Sequence, residues 1–287
     1  MVETMNAEAG GSAKGLRLCL GIGVAWVLSF AGALLLGPAG AGAAFGGVML
    51  LALIGLVLVQ AVLLYGWRGA ALYLVLGTAI GFSLEASSVA TGFPFGSYVH
   101  NLAGPKPAGV PIQAILTYVL AGWYGWTIAR AILLDRPERL TGAARFTVPL
   151  IAAFVLTGLD LPNDPIGATI RHDWTYKYPS GYFGVPLTNY LGWIFTGWVL
   201  FQLFALIEHR FPAGPAARSR WFWLMPCLVW LLMPLQFVAS WLSAPAGVVT
   251  LKQSTFVIAD MHEAGLITGL FGMTLPALIG IFRLFRN

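Results

Sequence analysis

Residues 45–90 read FGGVMLLALIGLVLVQAVLLYGWRGAALYLVLGTAIGFSLEASSVA and carry only two charged side chains, Arg68 and Glu85. A stretch of about 20 apolar residues crosses roughly 30 Å of hydrocarbon as a helix. This run is long enough for two such crossings, and Arg68 marks the turn between them, so the pattern predicts spans at 45–66 and 69–90. The same reading over the rest of the chain predicts further spans at 16–37, 110–134, 146–162, 186–208, 221–243 and 256–282. The expected fold is therefore an all-α polytopic bundle of about eight transmembrane helices. Residues 1–13 form a small, polar tail expected to be disordered, and 14–287 form a single transmembrane domain.

Composition excludes a water-soluble domain. Hydrophobic residues make up 58% of the chain and charged residues 9%, against roughly 25% charged in a soluble domain, and the mean hydropathy is +0.80. A pI near 9.4 would suggest nucleic acid in a soluble protein. Here the basic residues flank apolar runs, so topology accounts for them and no nucleic-acid partner is expected. With the N-terminus inside, 12 of the 16 Lys and Arg residues fall on one side, and only Lys106, Arg171, Lys177 and Lys252 on the other. Such a split favours a multi-pass protein, in a bacterial cytoplasmic membrane, with both termini cytoplasmic. The first apolar run, with Lys14 and Arg17 ahead of it and Ala41-Gly42-Ala43 behind, resembles a signal peptide but exceeds the usual length of the apolar region, so it is expected to stay as a span. Cys19 and Cys227 lie within apolar runs, where they serve as small packing residues.

Charges inside spans are costly and mark function. Glu85 lies about five residues inside its span, roughly 7–8 Å deep at 1.5 Å rise per residue. It shares an i, i+4 stripe with Gly77 and Gly81, a face suited to helix contact. Asp160 and Asp164 close the fifth span at the same side, and Asp260 and Glu263 open the eighth. Asp260, Ala264, Thr268 and Gly272 repeat the small-residue pattern. Five carboxylates from three helices are thus expected in one outer layer. Asp135, Glu138 and Glu208, on the other side, sit beside Arg136, Arg139 and Arg210 and are expected to form ordinary solvated pairs.

Neither paired histidines, CxxC pairs, a GxSxG elbow nor a glycine-rich phosphate loop occurs in the sequence, so the expectation is acid–base chemistry with no metal and no cofactor. Two loops facing the acid layer, residues 91–109 and 163–185, are rich in Gly, Pro and aromatics and are lid candidates.

Glu85 precedes TGFPFGSY (91–98), and DLPNDP (160–165) precedes the aromatic pair Trp174 and Tyr176 and then GYFGVPLTNYLGW (181–193). Together these resemble the membrane carotenoid-biosynthesis family that contains the carotenoid 1,2-hydratases of the γ-carotene and bisanhydrobacterioruberin type. Tyr176 departs from the Trp usual in that family. The resemblance implies acid-catalysed addition of water across the terminal carbon 1–carbon 2 double bond of an acyclic ψ end group, giving a tertiary alcohol. It implies a membrane-dissolved carotenoid substrate drawn from the lipid bilayer, and other carotenoid-pathway enzymes as partners.

Under that chemistry Glu85, the deepest acid, is expected to donate the proton, and Asp160 and Asp164 to position and deprotonate water. The matched motifs supply Phe95, Tyr98, Trp174, Tyr176, Tyr182, Phe183, Asn189 and Trp193 as substrate-binding candidates. Aromatic faces among them could stabilise a carbocation. Asp260 and Glu263 are additional acid candidates. A carotenoid cyclase, a proton- or cation-coupled transporter and a non-catalytic carotenoid-binding subunit are the competing readings.

Overall fold

A computed structural model describes residues 2–134 and 137–286, with side chains from residue 13 onward. The chain is predominantly helical, and six helical stretches are long and apolar enough to cross a membrane: Ala13–Leu36, Ala41–Thr91, Ala144–Arg171, Leu187–Arg210, Arg220–Leu242 and Ile258–Leu284. Large apolar side chains stay uncovered along them, Leu35 at 85% and Phe271 at 69% exposed. A water-facing surface does not tolerate such a belt, whereas lipid does.

Helix α1 (Val2–Leu36) packs against α2 (Ala41–Thr91) through a turn in which Gly37 and Gly40 take positive φ. The helical backbone includes most of the tail expected to be disordered, and the side chains of residues 2–12 lie outside the described set. α2 has 51 residues, but Gly66 is non-helical at φ 67°, ψ 174°, two residues before Arg68, where the turn was expected. At 1.5 Å per residue an unbroken helix of that length would be about 76 Å long.

α3 (Ile112–Leu133) is the axis of the bundle, and every residue from Tyr118 to Ala131 is buried. A helix enclosed by protein on all sides needs no uniformly apolar surface, which is why α3 holds two Trp, two Tyr and Arg130 and falls short of the hydropathy of its neighbours. α4 (Ala144–Pro165) packs between α3 and α5 (Leu187–Ile207). α6 (Arg220–Leu232) and α7 (Leu235–Leu242) are separated at Met233-Pro234. α8 (Ile258–Gly269) continues through one π-helical stretch, Leu270–Thr274, into α9 (Leu275–Leu284). Gly158 of α4 and Gly272 bring their backbones into contact with no room for a Cβ between them, a small-residue crossing of the kind that joins helices in lipid.

Two departures from expectation shape the site. The fifth span does not close at residue 162: α4 runs past Pro162 and continues as a π-helical stretch through Ile166–Arg171. Asp160 and Asp164 therefore lie within a helix rather than at a helix end. Pro162 and Pro165 locally disfavour a continuing helix, but packing of this segment against α8 overrides that preference. The second departure is a pair of small antiparallel sheets added to the helical fold. β1 (Tyr98–His100) pairs with β2 (Trp174–Tyr176), tying the two candidate lid loops together. β3 (Val248–Leu251) and β4 (Ser254–Val257) form a hairpin that leads into α8.

At the end of α3 remote from these loops, Glu208 is not a solvated partner of Arg210. The 3-10 turn after α5 directs it inward, where it is 6% exposed and 2.5 Å from Nη1 of fully buried Arg130. The Tyr65 hydroxyl donates to the same Glu208 oxygen at 2.5 Å, and Arg130 Nε donates to the Pro137 carbonyl at 2.7 Å. Asp135 and Arg136 lie outside the described residues.

Candidate active site

The register of the β1–β2 ladder builds the site. Tyr98 stands opposite Tyr176 and His100 opposite Trp174. With side chains alternating faces along a strand, all four point to one side, toward the helices, while Val99 between them is 61% exposed. Beneath them lies a cavity of about 330 Å³ whose walls include Glu85, Asp160 and Asp164, together with Asn189 and Trp193.

Glu85 is 4% exposed and sits where α2 and α3 pack closely, with Gly81 against Tyr118 and Gly77 against Val119. The stripe inferred from spacing is thus a real contact face. Tyr118 donates its hydroxyl to Glu85 Oε1 at 2.8 Å, and Tyr98 donates to Oε2. His100 Nε2 lies 3.3 Å from Oε2, and its Nδ1 has no partner among the described residues.

The two aspartates form a second cluster. Asn189 Nδ2 donates to Oδ2 of Asp160 and to Oδ2 of Asp164, 2.7 Å in each case. Tyr176 adds a hydrogen bond to Asp164 Oδ2 at 2.8 Å. An amide nitrogen has two hydrogens, so one asparagine holds both acids. Burial, and after it the Glu85 carboxylate, raises the Tyr98 phenol well above its usual range; burial and then Asp164 do the same for Tyr176. Both phenols therefore stay protonated and act as donors.

Of the other residues expected at the site, Phe95 is buried just behind the wall, 6.1 Å from the ring of Trp193. Trp193 stacks on Tyr118 at 4.7 Å. Tyr182 and Phe183 are not on the cavity wall: Phe183, at φ 48°, meets Phe256 of the β3–β4 hairpin, and Tyr182 packs on Tyr190. Asp260 and Glu263 are exposed and do not join the acid layer. The face of α8 that packs inward carries Met261, Gly265 and Gly269, so the helix is rotated by about one residue from the face its small residues suggested. The acid layer thus contains three carboxylates rather than five.

Sequence reasoning missed Tyr118 and the role of His100. Tyr118 lies in the middle of an apolar run, and only the packing of α3 on α2 brings it to Glu85. His100 is legible only once the β1–β2 pairing is known. Among the described residues no group of three His, Cys, Asp or Glu side chains is arranged to hold a metal ion. The arrangement can hold a proton on one carboxyl, accept one on another, and place an apolar group between aromatic faces.

Residues 45–252 match the sequence profile of a family described as carotenoid biosynthesis protein. Over 144 residues the chain is 32% identical to a protein of Haloarcula japonica named bisanhydrobacterioruberin hydratase. The shared region is 48% of this chain and 45% of that protein, so the chain matches under half the length of its curated relative. No solved structure matches the chain.

Proposed function

Because the chain belongs to the carotenoid biosynthesis protein family, we propose that its acid-lined cavity hydrates the terminal carbon 1–carbon 2 double bond of an acyclic carotenoid. The observation that carries this reading is the convergence of Glu85, Asp160 and Asp164, each held by hydrogen-bond donors, on one cavity with aromatic walls.

An isolated alkene is a weak base, so hydration begins with a carboxylic acid pressed against carbon 2. The acid O–H bond breaks, its proton forms the new C–H bond, and a tertiary cation is left at carbon 1. Trp193 and Trp174, both on the cavity wall, are the aromatic residues that would stabilise that charge. Water attacks carbon 1 as a second carboxylate removes its proton.

In this reading Glu85, which accepts from two phenols and lies 3.3 Å from His100 Nε2, is the group that takes the proton from water. Asp160 accepts one side-chain hydrogen bond among the described residues, from Asn189, and delivers the proton to carbon 2. This exchanges the roles suggested by depth alone. Each turnover leaves the acid without its proton and the base with one; exchange with solvent past Arg171, an exposed residue on the cavity wall, resets both.

We read α2 as two crossings on either side of Gly66 and α3 as a further one, which with the other helices would make eight spans. The distribution of Lys and Arg favours both termini in the cytoplasm. The test of the chemistry is turnover in deuterated, oxygen-labelled water. The alcohol should carry the label on its oxygen and one deuterium at carbon 2; product without label at both positions removes the reading.

A further inference from the structure

Beside the acid-lined cavity lies a second one, of about 230 Å³, and both have Thr117, Leu159 and Met233 on their walls. Its remaining lining is of a different kind. Leu53 of α2 and Leu116, Leu120 and Ala121 of α3 face the aromatic pair Tyr124 and Trp230, whose rings stack 6.0 Å apart at 23°. Gln113 and Thr117 are polar residues on its wall, and no Asp, Glu, Lys, Arg or His lines it. The rest of the wall is Leu, Ala, Met and aromatic side chain, so the natural occupant is apolar.

Resting on the hydratase reading, we infer that the two cavities are one gallery for an elongated conjugated isoprenoid. Its terminal double bond lies in the acid-lined chamber, and the adjoining stretch of chain lies in the apolar chamber. Adjacency carries the assignment. The three shared residues stand where the two chambers meet, and whatever alkene end reaches Asp160 must have its next segment somewhere apolar.

The dimensions agree. Thr117 and Tyr124 are seven residues apart on α3, about 10 Å along the axis, a fraction of a long polyene. The rest of the chain leaves past Leu50, which lines the same chamber and is 43% exposed, into the region where apolar side chains are left to lipid.

Binding tests this without relying on turnover. Detergent-purified protein carrying Asp160→Asn is titrated with lycopene, and bound polyene is read by its visible absorption after gel filtration, with protein-free micelles as the blank. Ala121→Phe and Leu53→Trp are added separately, filling the apolar chamber from α3 and from α2. Each should weaken lycopene binding at least tenfold while eluting as the parent does. Parent-level binding by either monodisperse variant overturns the gallery. Should Ala121→Phe aggregate, Leu53→Trp at its partly exposed position decides the matter. Failure of the hydratase reading looks different: lycopene binding that depends on Leu53 and Ala121, with a wild-type product that never gains water.

Discussion

Tyr98 and Tyr176 are register partners across the β1–β2 ladder, their rings are 5.6 Å apart, and their hydroxyls end on different acids, Glu85 and Asp164. One strand pair therefore positions both acidic clusters at once. The ladder has only three residue pairs, so its effect is geometric: it sets two phenols side by side over a cavity whose carboxylates come from helices far apart in sequence.

Removing either hydroxyl should weaken catalysis while the rings keep the ladder in place. A hydrogen bond to a charged group contributes about 1.5–3 kcal/mol, so Tyr98→Phe and Tyr176→Phe are each expected to lower the initial rate on the order of ten- to a hundredfold. Rates per mole of protein in isolated membranes check this, with thermal unfolding in detergent to confirm that the fold is kept.

The acid and base assignments predict that both carboxyls are needed for turnover. Glu85→Gln and Asp160→Asn should each cost roughly 10²- to 10⁴-fold. Rates on lycopene per mole of protein in isolated membranes check this, and a wild-type rate from either variant would remove that residue from the mechanism.

Stability should decline as pH rises past the ordinary phenol range. The folded protein keeps the Tyr98 and Tyr176 protons because burial and the adjacent carboxylates raise both groups. The unfolded chain releases them near the ordinary value of 10.0. Above that pH the unfolded state binds fewer protons, so the stabilisation present below about pH 10 is lost progressively toward the folded-state value. Unfolding temperatures between pH 9 and 11 should fall less steeply in Tyr98→Phe and Tyr176→Phe than in wild type.

At the opposite end of α3 the Arg130–Glu208 pair is a structural unit with no contact to the acid cavity. Breaking a buried pair leaves one charge uncompensated and costs about 3–5 kcal/mol. Glu208→Gln should therefore lower the unfolding temperature strongly, while Arg130→Met combined with Glu208→Leu should lower it less. Detergent melts of the three proteins measure this.

What the sequence made legible follows the range of the forces involved. The apolar runs, the break beside Arg68 and the packing stripe of Gly77, Gly81 and Glu85 are local patterns, and the structure has them. Asp164, Tyr176 and Asn189 lie within one continuous segment, and they meet. Contacts between distant elements were not legible. Tyr118 reaches Glu85 across 33 residues, and Arg130 reaches Glu208 across 78. Asp260 was misplaced because Gly, Ala and Thr occur on more than one face of α8, and spacing alone does not say which face packs. The continuation of α4 through Pro162 to Arg171 was hidden by prolines that locally favour a stop, against packing with α8 that favours continuation.

The most direct test of the central claim is the mass of the product. Wild-type chain and Asp160→Asn are expressed at matched levels in a bacterium that accumulates lycopene, and the pigments are resolved by chromatography with mass detection. The account predicts that wild type adds the mass of one water for each modified end and yields a tertiary alcohol, and that Asp160→Asn leaves lycopene essentially unchanged. An isomer of unchanged mass, or alcohol formed equally by both proteins, would contradict it.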